Sequence, residues 1–164
     1  MTLGRLHLSL SLPVFMAAVC AMVLLATTAM AFNYALYQPT NLDDLLSGKR
    51  PASGADFYDD IPMKLTVTLS AYSEPCETDL LNKSLELAHV TLPDNVKVTQ
   101  CIQVRSAGGR QVRMFIQDQV AAFLPKEVPL GGKVTLFAVH LFTSAPDGPG
   151  LMVNEFDASK PNAN

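Results

Sequence analysis

The chain reads as one small, mainly β domain behind an apolar N-terminal segment, and three observations predict this. Residues 64–70 alternate, with Leu65, Val67 and Leu69 set against Lys64, Thr66, Thr68 and Ser70, the period-two pattern of a half-buried strand. Two glycine pairs, Gly108-Gly109 and Gly131-Gly132, punctuate further strand-like runs as turns do. Residues 133–142 are apolar on both faces, with Val134, Leu136 and Ala138 on one and Phe137, Val139 and Leu141 on the other. Such a strand, the longest expected here, must be covered on both sides.

The N-terminal segment decides the compartment. Residues 6–42 carry no Asp, Glu, Lys or Arg, and residues 12–32 form an apolar run behind Arg5. As a signal peptide, residues 1–11 are the n-region, 12–26 the h-region and 27–31 the c-region, with Ala29 and Ala31 where a signal peptidase inspects small side chains. As a membrane anchor, about 20 apolar residues at about 1.5 Å each span about 30 Å of hydrocarbon, with Arg5 on the cytoplasmic side. Cys20 follows Val19 rather than a small residue, which argues against a lipid-modified cysteine. Both readings place the remainder outside the cytoplasm, periplasmic or extracytoplasmic, and secreted or held at the inner membrane by residues 12–32. The expected division is residues 1–31 for this segment, 32–62 for a linker with a short helix, 63–157 for the β domain and 158–164 for a tail.

Composition fits an ordered domain. The chain is 49% hydrophobic and 16% charged, and its mean hydropathy of +0.22 is raised by the export segment. Removing Arg5 leaves the rest one charge more acidic than the whole chain's net −3. That balance argues against nucleic acid and against an anionic membrane surface as partners, because both require clustered positive charge. Membrane contact is expected only through the N-terminal segment. In an oxidising space Cys76 and Cys101 are an even pair and are expected to form a disulfide. About 24 residues separate them, unlike the close pairs of metal sites and dithiol catalysts.

The elements follow in order. In the linker, Asn41 can cap a short helix through Leu45-Leu46, Asp43 and Asp44 suit its N-terminus, and Gly48 can end it. The first strand begins at Met63. An insertion, residues 73–95, carries a helix over 78–89 with Leu80, Leu81, Leu85, Leu87 and Ala88 at helical spacing, ended by Pro93. Residues 96–105 and 111–117 alternate on either side of Ala107-Gly108-Gly109 and should pair as a hairpin, with Val112, Met114 and Ile116 inward. Asp118 can cap a short helix over 119–124 that Pro125 helps to stop. After the strand at 133–142, a turn over 144–150 leads to a last strand at 151–156.

This order resembles an OB-fold, a five-stranded barrel with its helix between the third and fourth strands. The resemblance covers residues 64–156 and is one of architecture; an open β-sandwich is the alternative. OB-folds bind along the outer face of strands two and three. Carried over, that face implies Lys97, Thr99, Gln103, Arg105, Arg113, Phe115 and Gln117 as candidate binding residues. Cys101 points to the same face, so a bridge to Cys76 should draw the insertion over it. The organisation also resembles the periplasmic haem chaperones of cytochrome maturation, with Tyr37-Gln-Pro-Thr40 and Gly48-Lys49 ahead of the barrel. Their haem-attaching histidine follows the last strand with a tyrosine close behind. Residues 157–164 supply neither, so haem binding is not carried over.

Catalytic signals are sparse. His89 and His140 lack an acidic or cysteine neighbour at ligand spacing, and adjacent pairs such as Asp43-Asp44 and Asp59-Asp60 read as solvated surface. Gly108-Gly109-Arg110 and Gly131-Gly132-Lys133 lack the spacing of a phosphate loop and read as turns. No metal and no cofactor are expected. The expectation is a non-enzymatic binding or assembly module with a protein partner in the cell envelope. The alternative is a small-ligand carrier or small hydrolase using the outer face of strands two and three.

Overall fold

The computed structural model describes residues 32–158. The apolar run through residue 31, with Ala29 and Ala31, and the tail past Ala158 lie outside the described residues. Among the described residues no helix is long and apolar enough to cross a membrane.

After a 3-10 turn, Tyr34–Leu36, come β1 (Gln38–Pro39), α1 (Leu42–Leu46), β2 (Ala55–Pro75), α2 (Asp79–Leu87), β3 (Gln100–Arg105) and β4 (Gln111–Ile116). They are followed by α3 (Asp118–Ala121), α4 (Leu124–Glu127), β5 (Lys133–Ser144) and β6 (Gly148–Asp157). Strands β2, β3, β4, β6 and β5 succeed one another round a sheet that closes by pairing β5 with β2, while β1 lies outside it against β2. Within the barrel only β4 and β6 run parallel. The result is a closed five-stranded mixed barrel consistent with an OB-like architecture, and closure sets aside the open sandwich.

Closure depends on β2. It pairs with β5 from Ala55 opposite Ser144 to Thr68 opposite Lys133, then with β3 from Thr68 opposite Arg105 to Pro75 opposite Gln100. β2 therefore starts at Ala55, inside the stretch read as linker, and it rather than β5 is the longest strand. Local sequence hides this first half because its pairing partner lies at the far end of the domain. β6 likewise starts at Gly148 and reaches Asp157, longer than the expected 151–156, which leaves only residues 145–147 as turn.

The inward side chains form the main core. Leu65, Val67 and Leu69 of β2 meet Ile102, Met114, Leu136 and Leu151 from the other strands, plugged by Leu42 of α1 and by Val120 and Leu124 of α3 and α4. Each full burial of such a side chain stabilises the fold by about 1.5–3 kcal/mol. A second cluster covers the outer face of β5 and β6, where Leu81 and Leu85 of α2 pack on Val139, Leu141, Phe142 and Met152. Buried Ser84 adds a hydrogen bond from its Oγ to the Leu141 carbonyl at 3.1 Å. The two-sided apolar character of β5 is thus satisfied by barrel interior on one face and α2 on the other.

Several local expectations are corrected. The Cys76–Cys101 disulfide is present, yet α2 lies on β5 and β6 rather than over the outer face of β3 and β4. Cys76 follows Pro75, already paired beside Cys101, so the bridge ties two adjoining strand ends and leaves the insertion to follow the larger apolar surface. Helix α2 ends at Leu87, with Ala88 as its C-cap, well short of Pro93: His89 takes φ 54°, its N–H donates to the Glu86 carbonyl and the Val90 N–H to the Leu85 carbonyl. Asp118 makes no cap bond. Its carboxylate accepts from the Thr99 N–H and Oγ1, each at 2.9 Å. Pro125 sits in the first turn of α4, where its missing N–H is harmless, so it opens a second short helix instead of stopping the first.

Candidate functional site

The site grows out of the β3–β4 hairpin. The Ser106 N–H donates to the Arg110 carbonyl at 2.9 Å and the Gly109 N–H to the Ser106 carbonyl at 3.0 Å, with Gly109 at φ +86°, a conformation suited to glycine. Gly108 serves a different end. A Cβ there would stand 2.7 Å from Asp43 Oδ1, so any larger residue would push that carboxylate off its hydrogen bonds.

Asp43 is the hub of that approach and is not solvated surface, which corrects the sequence reading. Its carboxylate accepts from Ser106 Oγ and from the Gly108 N–H, both at 2.6 Å, and from Arg110 Nε at 3.2 Å and Nη2 at 3.1 Å. Arg110 Nη2 also donates to the Asp43 carbonyl and, at 3.2 Å, to Ser47 Oγ. The Ser106 hydrogen bond, then that of Gly108, with Arg110 adding to them, holds the Asp43 carboxyl below its ordinary value of 3.8. The Asn41 side chain caps α1 as expected, accepting from the Asp43 N–H at 2.9 Å.

Beyond the hairpin the barrel wall parts. β4 and β6 pair only at Phe115 opposite Met152 and Ile116 opposite Val153. Toward the hairpin a groove of about 960 Å³ lies between them. Arg110, Gln111, Val112, Arg113 and Phe115 form its β4 wall, and Asp147, Gly148, Pro149 and Gly150 the β6 wall. Leu46 and Arg50 stand at one end, and the disulfide with Glu77, Asp79 and Leu80 at the other. Gly150 is held close by Phe142, whose ring would lie 2.2 Å from any Cβ there. Arg113 pairs with Glu74 at 3.4 Å, but both side chains are more than half exposed, so the pair contributes little. Arg50 Nη1 donates to the Pro146 carbonyl at 3.1 Å.

Of the seven candidate residues, the structure brings Arg113 and half-buried Phe115 to the groove. Gln103 stands opposite Arg113 and Arg105 opposite Gln111 across the hairpin, both outside the lining. Thr99 is held by Asp118, whose N–H donates to the Lys97 carbonyl at 2.8 Å. Gln117 belongs to a polar chain in which its Nε2 donates to Asn154 Oδ1 and Asn154 Nδ2 to the Tyr37 hydroxyl, each at 3.0 Å. Cys101 faces outward as expected but is buried at 2% exposure beneath the bridge. Sequence reasoning missed Leu46, Arg50, Arg110 and the β6 wall; Arg110 carried a signal in following two glycines, and the others are gathered only by topology.

His140 continues the inward row of β5 past Ala138, under α1. Its Nε2 lies 2.9 Å from the Phe142 carbonyl and 3.0 Å from Thr143 Oγ1. Burial pushes its pKa below the ordinary 6.5, partly offset by the Phe142 carbonyl. A small cavity of about 150 Å³ separates it from Leu45, Leu46, Lys49 and Arg50. Among the described residues no three His, Cys, Asp or Glu side chains are grouped to hold a metal ion. Compared with protein-family models and with curated proteins, the chain gives no match.

Proposed function

We propose that the protein is an exported, non-enzymatic binding module, a small subunit of an envelope assembly, that meets its partner in the groove between β4 and β6. One observation carries the reading: the barrel wall opens beside a wall bearing Phe115 and Arg113, where an apolar ring and a cation stand ready for contact. The Cys76–Cys101 disulfide supports an oxidising compartment. A second reading, a small-ligand carrier, is favoured by the groove's volume of about 960 Å³, near the upper end of the roughly 300–1,000 Å³ of small-molecule sites.

Site-directed photocrosslinking in intact envelopes tests the choice. A crosslinker at Phe115 should trap one protein at a fixed stoichiometry, and the same group at exposed Leu130, outside the groove, should not. A lone protein retaining a small molecule in native mass spectrometry favours the carrier; no adduct of either kind overturns the groove as the binding site. Carbonate extraction decides the state of residues 12–32: a full-length chain that stays with the membrane is anchored, and a chain starting at Phe32 is processed.

A further inference from the structure

Resting on the groove reading, we propose that its occupant is an extended segment of the partner protein, added as a strand along β4, with side chains alternating between apolar and acidic. The backbone supplies the first argument. Antiparallel pairs alternate between exchanging hydrogen bonds and not. Because the Ser106 N–H donates to the Arg110 carbonyl, the alternation gives the bonds of β3 to Val112, Met114 and Ile116, opposite Val104, Ile102 and Gln100. The N–H and C=O groups of Gln111, Arg113 and Phe115 therefore point away from β3. Phe115 spends its pair on β6, as the Gln117 N–H bonded to the Val153 carbonyl at 3.2 Å also shows. Among the described residues no strand takes those of Gln111 and Arg113. They form a ready edge for a strand from outside.

The opposite wall does not compete for that edge. Pro149 has no N–H to donate, and β6 is paired along its other side with β5. Side-chain chemistry sets the sequence of the incomer. Added beside β4, it points alternate residues inward toward Val112 and Leu46 and outward beside Arg113. Arg113 is exposed, and its Glu74 partner at 3.4 Å is loosely held. Arg50 stands across the gap at the β6 wall. Of the groove's acids, Glu77 and Asp79 lie at the α2 end and Asp147 on the β6 wall with Arg50, whereas on the β4 wall Arg110 is held by Asp43 and Arg113 stays exposed. An acidic residue is thus complementary beside Arg113 and an apolar one beside Val112.

The test uses the protein purified from the envelope and two dye-labelled, end-blocked peptides, one alternating Val and Glu and one alternating Val and Lys. The Val/Glu peptide should bind, with the Val/Lys peptide about tenfold weaker or worse, as expected for one charge-assisted contact. Binding should slow hydrogen exchange at the Gln111 and Arg113 amides. Gln111→Pro removes an outward donor that β3 does not use and should weaken binding about tenfold with Tm little changed. Arg113→Glu should reverse the preference between the peptides. Should Gln111→Pro fold poorly, the exchange measurement on the unaltered protein still decides. Unchanged exchange at these two amides, or no binding of either peptide while Phe115 still crosslinks to a partner, overturns strand addition and leaves the groove reading standing. Loss of the crosslink as well overturns both.

Discussion

Helices α1 and α2 pack on the same barrel, and the contacts that hold them differ in kind. α1 sinks Leu42 into the main core but is oriented by charge, through Asp43 on Ser106, Gly108 and Arg110. α2 is held by Leu81 and Leu85 on β5 and β6, with one buried hydroxyl and a disulfide just ahead of it. Apolar burial is indifferent to pH and tolerant of direction; a carboxylate hub is neither. The contrast separates the two ends of the groove: Leu46 and Arg50 come from the acid-sensitive side, while Leu80 and Asp79 come from the insensitive one.

The largest effect on either helix's seat should come from Leu81→Ala, which opens a cavity under α2 and should cost about 2–5 kcal/mol in denaturant unfolding at any pH. A pronounced pH dependence of that loss would break the comparison. Replacing Cys76 and Cys101 together by serine should cost about 3.5 kcal/mol in the chain-entropy model for the 25-residue separation. Intact mass after alkylation, with and without reduction, should differ by two labelled thiols, and finding both already free would contradict the bridge.

Asp43→Asn should lower Tm by less than Leu81→Ala. Its folded-state pKa lies below 3.8, so the stabilisation is full above that value and is lost as pH falls through the folded pKa. The variant and parent should therefore converge at the acid extreme. His140 acts in a higher window. With a folded pKa below 6.5, it leaves stability full above pH 6.5 and erodes it as pH falls toward that folded value, because the unfolded chain takes up the proton first. His140→Gln should remove this earlier decline in a Tm–pH series and leave the Asp43 decline in place. The smallest stability effect should be that of Phe115→Ala, half-buried against Phe142 at 6.1 Å between ring centroids. Phe137→Ala, at a buried site edged by Tyr34 and Tyr37, should cost about 3–5 kcal/mol. If both cost the same, Phe115 is core and its place in the groove is misassigned.

What was legible in the sequence was local. The β3–β4 hairpin declared itself because alternation and two glycines lie within a few residues of each other, and the α1 cap because Asn41 reaches only to Asp43. The first half of β2 was illegible because Asp-rich, Pro-bounded sequence becomes strand only when β5 pairs with it. Asp43 looked solvated because its partners at 106–110 are remote in the chain. In the site, Phe115 and Arg113 could be read from alternation. The gap that gives them a role could not, since it depends on where β4 and β6 cease to pair.

The closing role of β6 also bears on folding. It joins β5 on one side and β4 on the other, so the ring cannot be completed until nearly the whole domain is available, and the first half of β2 waits likewise for β5. Such non-local pairing slows folding relative to helical domains of similar size. A chain stopped short of Gly148 would leave one edge of β4 and one edge of β5 unpaired and should stay open and association-prone, whereas the full-length chain closes once β6 is in place.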